Sequence, residues 1–434
     1  MLARRSFLGA LAWPAAAATV PCGAWLKPGA SLALAELAGD ARLPQAVARD
    51  EDFWFQVQEA FTADRSMVNL NNGGVCPAPA VVQAAMKRYL DHANEAPAYV
   101  LWRLQDPQKE TVRSGLARLF GCDPEEVALT RNASEALENV QQGFELAKGD
   151  EVLTTDQDYP RMLTTWKQRE RRDGIVLKQI QIPVPCEDDD ALVQCFEKAF
   201  TPRTKVLHIC HVINLHGMVL PVKRLVQLAR AKGVPTLIDG AHSFAHLDFK
   251  RDDLDCDYFG TSLHKFLFAP HGTGMLYVRR EKIGGLWPLM AAPETLDADI
   301  RKFEEIGTHP LANFLAVAEA LAFHELIGPA RKEARQIFLR DHWAKRLQQS
   351  PRVKLHTSLK PGRSTGVALV ELEGIDPVKL HEHLWAKQRI FTVAIQHAQF
   401  RGLRISPTVY TRLSELDRFC EALEKVARDG LPPA

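Results

Sequence analysis

Asp239 and Lys265 are the two side chains whose types and spacing point most directly to chemistry. Residues 236–238 form a short apolar run that ends on Asp239, and residues 258–261 form another that leads to Ser262, His264 and Lys265. Runs of this length read as strands buried in a sheet. In open α/β sheets ligands sit beyond the carboxyl ends of the strands, so an acid and an amine delivered there by neighbouring strands face one site. A third run, residues 275–278, follows a Gly-Thr-Gly turn. A neutral amine forms a Schiff base with an aldehyde, and a buried carboxylate opposite a pyridine nitrogen raises that nitrogen's pKa. Together they suit pyridoxal phosphate, with Lys265 as the attachment point and Asp239 facing the ring nitrogen. Each residue alone has a plainer explanation, a surface lysine and an Asp-Gly turn, so the rest of the chain has to decide.

Several stretches place further polar groups at strand ends. Asn69-Leu70-Asn71-Asn72-Gly73-Gly74 is a loop where backbone can approach a ligand, or simply a tight turn into a helix starting near Pro79. Residues 127–130 read as a strand, after which Arg131-Asn132-Ala133-Ser134-Glu135 opens a helix. Free N–H groups and the positive end of the helix dipole favour a phosphate at such a start, although an N-cap serves equally well. Asp158-Tyr159-Pro160 closes another strand, and Tyr159 could stack on a flat ring or merely pack. Residues 204–213 read as a strand leading to Asn214, and residues 220–232 as an amphipathic helix returning to the Asp239 strand. This βαβα succession predicts a mostly parallel sheet covered by helices on both faces. His208, His211, His216 and His242 are scattered along strands and turns without zinc-ligand spacing, so no metal is expected.

The 434 residues suffice for a large domain and a smaller partner, and 46% hydrophobic residues can build a sizeable core. Lys plus Arg number 54 against 53 Asp plus Glu, so the +1 balance gives no nucleic-acid footprint. Arg169 to Arg172, R-E-R-R, reads as a solvated helix face. Eight cysteines lack CxxC pairs or a disulfide-dense spacing. The N-terminus begins Ala3-Arg4-Arg5-Ser6-Phe7-Leu8 and continues through an alanine-rich apolar run, the pattern of a twin-arginine export signal. Small-residue cleavage patterns occur at Ala16-Ala17-Ala18 and at Ala33-Leu34-Ala35. Pro14, Pro21 and Gly23 interrupt the run, which argues against a permanent membrane span.

In their shared order, the stretches L-N-N-G-G-V, T-R-N-A-S-E-A-L, L-T-T-D-Q-D-Y, H-V-I-N-L-H-G, I-D-G-A-H, S-L-H-K and L-R-I-S-P resemble the class V aminotransferase superfamily of fold type I pyridoxal-phosphate enzymes, and within it the isopenicillin N epimerase-like group. The resemblance runs from about Asn69 to Pro407. Asn214 to Asp239 is 25 positions and Asp239 to Lys265 is 26, separations that such enzymes share. It implies an α/β fold type I architecture: an export signal and linker over 1–35, an N-terminal segment over 36–68, a large cofactor-binding domain over 69–308 and a smaller α+β domain over 309–434. In that smaller domain residues 366–372 and 403–405 read as strands, 311–327 and 330–349 as helices, and 416–428 as the closing helix.

The resemblance also implies roles. Lys265 carries the cofactor and Asp239 binds its pyridine nitrogen. Asn214 and His242 approach the phenolic oxygen, Tyr159 stacks on the ring, and Ala133, Ser134, Ser262 and His264 hold the phosphate. Thr308 completes the phosphate site of a second subunit, implying a homodimer. Asn71, Gly73 and Arg404 face the substrate, Arg404 through its carboxylate. The expected chemistry is bond breaking at the Cα of an amino acid or amine, as transamination or epimerisation, with C–S or C–C lysis as an alternative. A cysteine desulfurase needs a mobile nucleophilic cysteine before the carboxylate arginine, and residues 364–404 contain none. A non-catalytic relative would have no use for Lys265, nor a histidine-based metallohydrolase for Asp239 and Lys265. The motor for export would be the twin-arginine machinery, delivering the folded protein to the periplasm or beyond.

Overall fold

A computed structural model describes residues 41–432. The twin-arginine motif and both cleavage patterns lie outside the described residues. At the centre is a seven-stranded sheet in the order Val127–Thr130, Gly274–Val278, Tyr258–Ser262, Thr236–Asp239, Thr204–Cys210, Glu151–Thr155 and Val176–Ile180. Gly274–Val278 runs antiparallel to both its neighbours, and the remaining adjacent pairs are parallel. Every residue of Thr236–Asp239, Tyr258–Ser262 and Gly274–Val278 is buried, because helices cover both faces.

Those helices are amphipathic by spacing. Val222–Ala231 buries Val222, Leu225, Val226 and Ala229, the i, i+3, i+4, i+7 stripe of one helix face. On the opposite side of the sheet, Ala136, Leu137 and Val140 of Ala133–Gly143 share a core with Met162 and Trp166 of Pro160–Asp173. The Pro160–Asp173 helix corrects one expectation: Arg169 is not solvated but buried, donating to Gln141 O (2.6 Å) and pairing with Asp173 (2.7 Å). A carboxylate one turn away and a carbonyl satisfy the guanidinium, so it can leave water.

A second body is built on the four-stranded antiparallel sheet Val393–Gln396, Arg401–Ile405, Ala368–Leu372 and Val353–Leu355. Pro329–Leu347 and Leu413–Asp429 pack on it through Leu339, Trp343, Phe419 and Leu423. Helices Ala312–Leu315 and Val317–Ile327 split what reads as one helix, since Ala316 flattens the turn with ψ −4°. They place Phe314, Val317 and Ala320 in the core of the large sheet, so the second body starts only after them. Residues 68–71 join that second body as well: Val68–Asn69 pairs in parallel with Ile390–Phe391, and Asn71 bridges to Ser406, while Phe53, Val57 and Phe61 before them pack with both Phe268 and Tyr410.

The strand expected over 204–213 stops at Cys210. Beyond it His211 N–H donates to Asp239 O (2.9 Å), Val212 bridges to Val219, and the chain reverses at Gly217, whose φ is +76°. A Cβ there would come within 2.0 Å of Val367 O, so only glycine fits. This reversal leaves Asn214 in the loop that faces the second body. No described helix is long and apolar enough to cross a membrane.

Candidate active site

Parallel pairing delivers the two chemical side chains to one end of the sheet. Asp239 is the last residue of its strand and pairs with Gly260 on one side and Cys210 on the other. Lys265 follows three residues after the Tyr258–Ser262 strand. The two groups feel each other's charge. Burial pushes the Asp239 carboxyl up to about 6, opposed by the Ala241 N–H (2.9 Å) and by Lys265. Burial pulls the Lys265 amine down to about 8, opposed by Asp239 and reinforced by Arg404. Lys265 retains partial solvent access even so, the mark of an amine in a cleft rather than in the core. Its Nζ makes no hydrogen bond among the described residues, and the second Asp239 carboxylate oxygen also lacks one.

The rim of the cleft comes from three distant parts of the chain. Arg404, 7% exposed on the Arg401–Ile405 strand, donates from Nη1 to Asn214 O (3.1 Å) and from Nη2 to Asn71 Oδ1 (2.7 Å). Gly73 N–H donates to Ser406 Oγ (2.9 Å), and a Cβ on Gly73 would lie 3.0 Å from His242 Cε1. The Asn71-Gly73 loop therefore does approach the site closely. His242 is buried, and burial together with the Lys265 and Arg404 charges keeps its ring neutral, well below the usual imidazole range. Tyr159 caps the Pro160–Asp173 helix, stays partly open to solvent, and lies within electrostatic reach of Arg404.

The opening turn of Ala133–Gly143 forms the other wall. Asn132 caps it through Glu135 N–H (2.9 Å), and Ala133 N–H donates to Ser262 Oγ (2.9 Å). Among the described residues Ser134 has no partner for its N–H or hydroxyl. The Gly274 backbone packs so closely that a Cβ would meet the Asn132 carbonyl carbon at 2.6 Å. His264 donates from Nδ1 to Thr273 O (3.2 Å), and burial, then Lys265, lowers it to about 4, so its Nε2 is left as a lone pair. An anion against Nε2 would favour a second proton there.

Three buried atoms beside this cleft have no hydrogen-bond partner: Asn214 Oδ1, His242 Nδ1 and Arg404 Nε. Buried polar atoms are normally paired. A free amine, a half-satisfied carboxylate, an open helix start and three orphaned atoms converging on one cleft fit an aldehyde-bearing phosphorylated pyridine. Thr308 does not join them. It is exposed in a separate cavity of about 520 Å³, which Trp102, Lys109, His309 and Leu311 also line.

Sequence reasoning passed over residues that hold the site together. Asp158, in L-T-T-D-Q-D-Y beside Tyr159, accepts from Cys210 N–H (2.8 Å) and Thr155 Oγ (2.5 Å), tying the Tyr159 loop to the strand next to Asp239. Ser406, in L-R-I-S-P, anchors Gly73. Cys76 N–H donates to His264 O (3.1 Å), next to Lys265, and burial raises its thiol to about 12. The four histidines are dispersed: His208 accepts from Trp166 Nε1 (2.8 Å), His211 lies edge-on to Phe249, His216 pairs with Gln157 (2.9 Å), and His242 alone faces the cleft. Among the described residues no group of three or more side chains is arranged to hold a metal.

Residues 68–419 match the family described as Aminotransferase class-V. The chain is 30% identical to the isopenicillin N epimerase of Streptomyces clavuligerus over 388 residues, 86% of this chain and 98% of that protein. Its fold resembles the apo structure of a cysteine desulfurase from Thermococcus onnurineus NA1, with a TM-score of 0.75, 23% identity, and coverage of 90% of this chain and 100% of the other. It also resembles a C-DES variant with glycine covalently linked to its PLP cofactor, with a TM-score of 0.75, 21% identity and coverage of 85% and 98%.

Proposed function

The chain belongs to the aminotransferase class-V family with pyridoxal 5′-phosphate (PLP) as its cofactor, and on that footing we propose that it breaks the Cα–H bond of an amino acid or amine in an epimerisation or transamination. The observation that carries this reading is the convergence of Lys265 and Asp239 on one cleft with Arg404 at its rim. When bound, PLP supplies an electron sink for the pair left behind at Cα. Lys265 is its attachment point and afterwards the base: an amine drawn down to about 8 carries a useful neutral fraction near neutral pH. Asp239 Oδ holds the proton on the ring nitrogen. Ala133, Ser134, Ser262 and His264 would receive the phosphate, Tyr159 would cover the ring, and Asn214 and His242 would meet its phenolic oxygen.

Arg404 orients the substrate. Nη2 has spent one hydrogen on Asn71 and Nε has no partner, so the Nε–Nη2 edge is open to a carboxylate in a two-pronged grip. Similarity to an isopenicillin N epimerase across nearly its whole length supports chemistry at Cα–H, and the lack of cysteine over 364–404 weighs against sulfur transfer. Lysis of a C–S or C–C bond is the competing outcome.

The homodimer and export are part of the same proposal. Trp102, 61% exposed, lines the same cavity as Thr308, an exposed aromatic of the kind that marks an interface. Arg4-Arg5-Ser6-Phe7-Leu8 supports twin-arginine export. The test of the core reading is the visible band of the purified protein, its loss on borohydride reduction, and mass mapping of the reduced adduct. Recovery of the adduct on Lys265, with α-proton exchange from L- or D-amino acids in deuterated water, supports the proposal. A protein that stays colourless with added PLP, or an adduct on another lysine, refutes it; release of sulfide or pyruvate without α-proton exchange would move it to the lyases.

A further inference from the structure

Behind the Lys265 turn lies a second lysine that none of this chemistry uses. Lys332, on Pro329–Leu347, is fully buried and has no carboxylate partner among the described residues. Its Nζ donates to Phe266 O, lies 3.2 Å from His324 Nδ1 and sits 4.0 Å from the centroid of the Phe268 ring. A carbonyl, an imidazole nitrogen and an aromatic face together surround the Lys332 nitrogen. Two of these three contacts go to residues immediately after Lys265.

The turn they hold is an uncommon one. Phe268 N–H donates to Lys265 O (3.2 Å), Ala269 N–H to Leu263 O (3.1 Å), and Phe268 adopts φ +63°, a left-handed conformation that a bulky side chain avoids. Such backbone persists where its surroundings over-determine it. From the other side, His246 stacks on Phe266 at 3.8 Å, donates from Nδ1 to His242 O (2.9 Å) and accepts from Gly366 N–H (3.1 Å). The turn is therefore gripped between the second body and the cofactor-facing loop.

We propose that Lys332 is a positioning residue: it clamps the Phe266–Phe268 turn in its left-handed shape and so fixes the direction of the Lys265 amine. This rests on Lys265 being the attachment point. Lys332→Met keeps the bulk and removes all three polar contacts. In the full-length holoenzyme, hydrogen exchange of the Phe268 and Ala269 amides should quicken at least tenfold while amides of the Thr236–Asp239 strand stay protected. The pH midpoint of the visible band should move by half a pH unit or more. Unchanged exchange and an unchanged midpoint would overturn the proposal, as would a uniform rise in exchange across the sheet with the midpoint unmoved, since that is a structural role alone. If Lys332→Met does not fold, Phe268→Leu removes the ring facing the Lys332 nitrogen, and the same two readouts decide. A wild-type protein without a visible band would instead defeat the role given to Lys265, and the exchange comparison would still judge the clamp.

Discussion

Replacing Asp239 by asparagine should speed the capture of PLP by the cofactor-free protein and at the same time cripple turnover. Burial holds the Lys265 amine at about 8 against an ordinary 10.5. At pH 7 that gap raises the neutral fraction from roughly 0.03% to roughly 9%, about 300-fold. The Asp239 carboxylate works against this, because an anion nearby keeps the proton on Lys265. Asparagine removes the anion, so the Lys265 midpoint falls below its wild-type place and the neutral fraction at pH 7 rises; a fall of about one pH unit would give about a fivefold faster capture. The gain has its own pH window. Asp239 titrates at about 6, so wild type and variant should converge below that pH and diverge above it. Turnover responds in the opposite sense, since an amide cannot hold a proton on the ring nitrogen. Loss of one charge-assisted contact, about 1.5–3 kcal/mol, corresponds to roughly 10–150-fold in rate. Stopped-flow absorbance after mixing limiting PLP with cofactor-free protein between pH 6 and 9 measures the first effect, and steady-state assays the second. An Asp239→Asn protein whose capture midpoint equals or exceeds that of wild type would refute the electrostatic reasoning.

Arg404→Lys leaves either Asn214 O or Asn71 Oδ1 without its donor and offers a carboxylate a single prong. kcat/KM for carboxylate-bearing substrates should drop about 10²–10³-fold, roughly 3–4 kcal/mol, with little change for simple amines; equal losses on both would show that Arg404 does not touch the carboxylate. Acid should destabilise the fold well before ordinary carboxylates titrate. Burial holds His208, His211 and His264 at about 4 and His216 and His246 at about 3. Between those values and the ordinary 6.5 the unfolded chain binds more protons than the folded one, so stability falls as pH drops from about 6.5 towards 4. Asp239, raised to about 6, opposes this with one proton. Urea midpoints at pH 7.5, 6 and 5 should decline in that order, and a flat series would contradict the buried-histidine account. Finally, if Thr308 serves the partner's site, inactive Lys265→Ala and Thr308→Glu chains should complement when mixed: about half the dimers are mixed and each has one intact site, giving about a quarter of wild-type activity. No recovery would remove Thr308 from the site.

Most of the main sheet was legible because its central strands are short, largely apolar and separated by amphipathic helices, whereas Val176–Ile180, which carries Lys178 and Gln179 and has no buried residue, gives no such signal. Val127–Thr130 can be placed to the residue from that pattern alone. Boundaries failed where tertiary contacts overrule local pattern. Residues 211–213 continue the apolar run of their strand, yet after the last ladder bond, His211 N–H to Asp239 O, the chain leaves the sheet, because Val212 bridges to Val219 and Gly217 must fit against Val367 O. Arg169 looks solvated in R-E-R-R because nothing local announces the Gln141 carbonyl, 28 positions away, that accepts from it. In the site, Asp239, Lys265 and Arg404 stand out by type and position. Lys332 and His246 do not, since a lysine in A-R-K-E and a histidine in S-F-A-H look like a surface charge and a filler until the fold buries both against Phe266.

Arg404 shows why binding and closure need not be separate events here. Its two protein contacts reach Asn71, carried by the N-terminal segment, and Asn214, carried by the loop beyond the large sheet, while the arginine itself belongs to the four-stranded sheet. A guanidinium with Nε unpaired is an incomplete joint among these three parts. A carboxylate arriving at the Nε–Nη2 edge would supply the missing partner and neutralise a cation that burial already pulls down to about 10. The gain from that contact is then available to draw the two bodies together and to expel water from the Lys265 cleft, where a drier setting strengthens every charge interaction. A simple amine lacks the carboxylate and can offer the joint nothing, which is the physical reason for expecting the enzyme to treat amino acids and amines so differently.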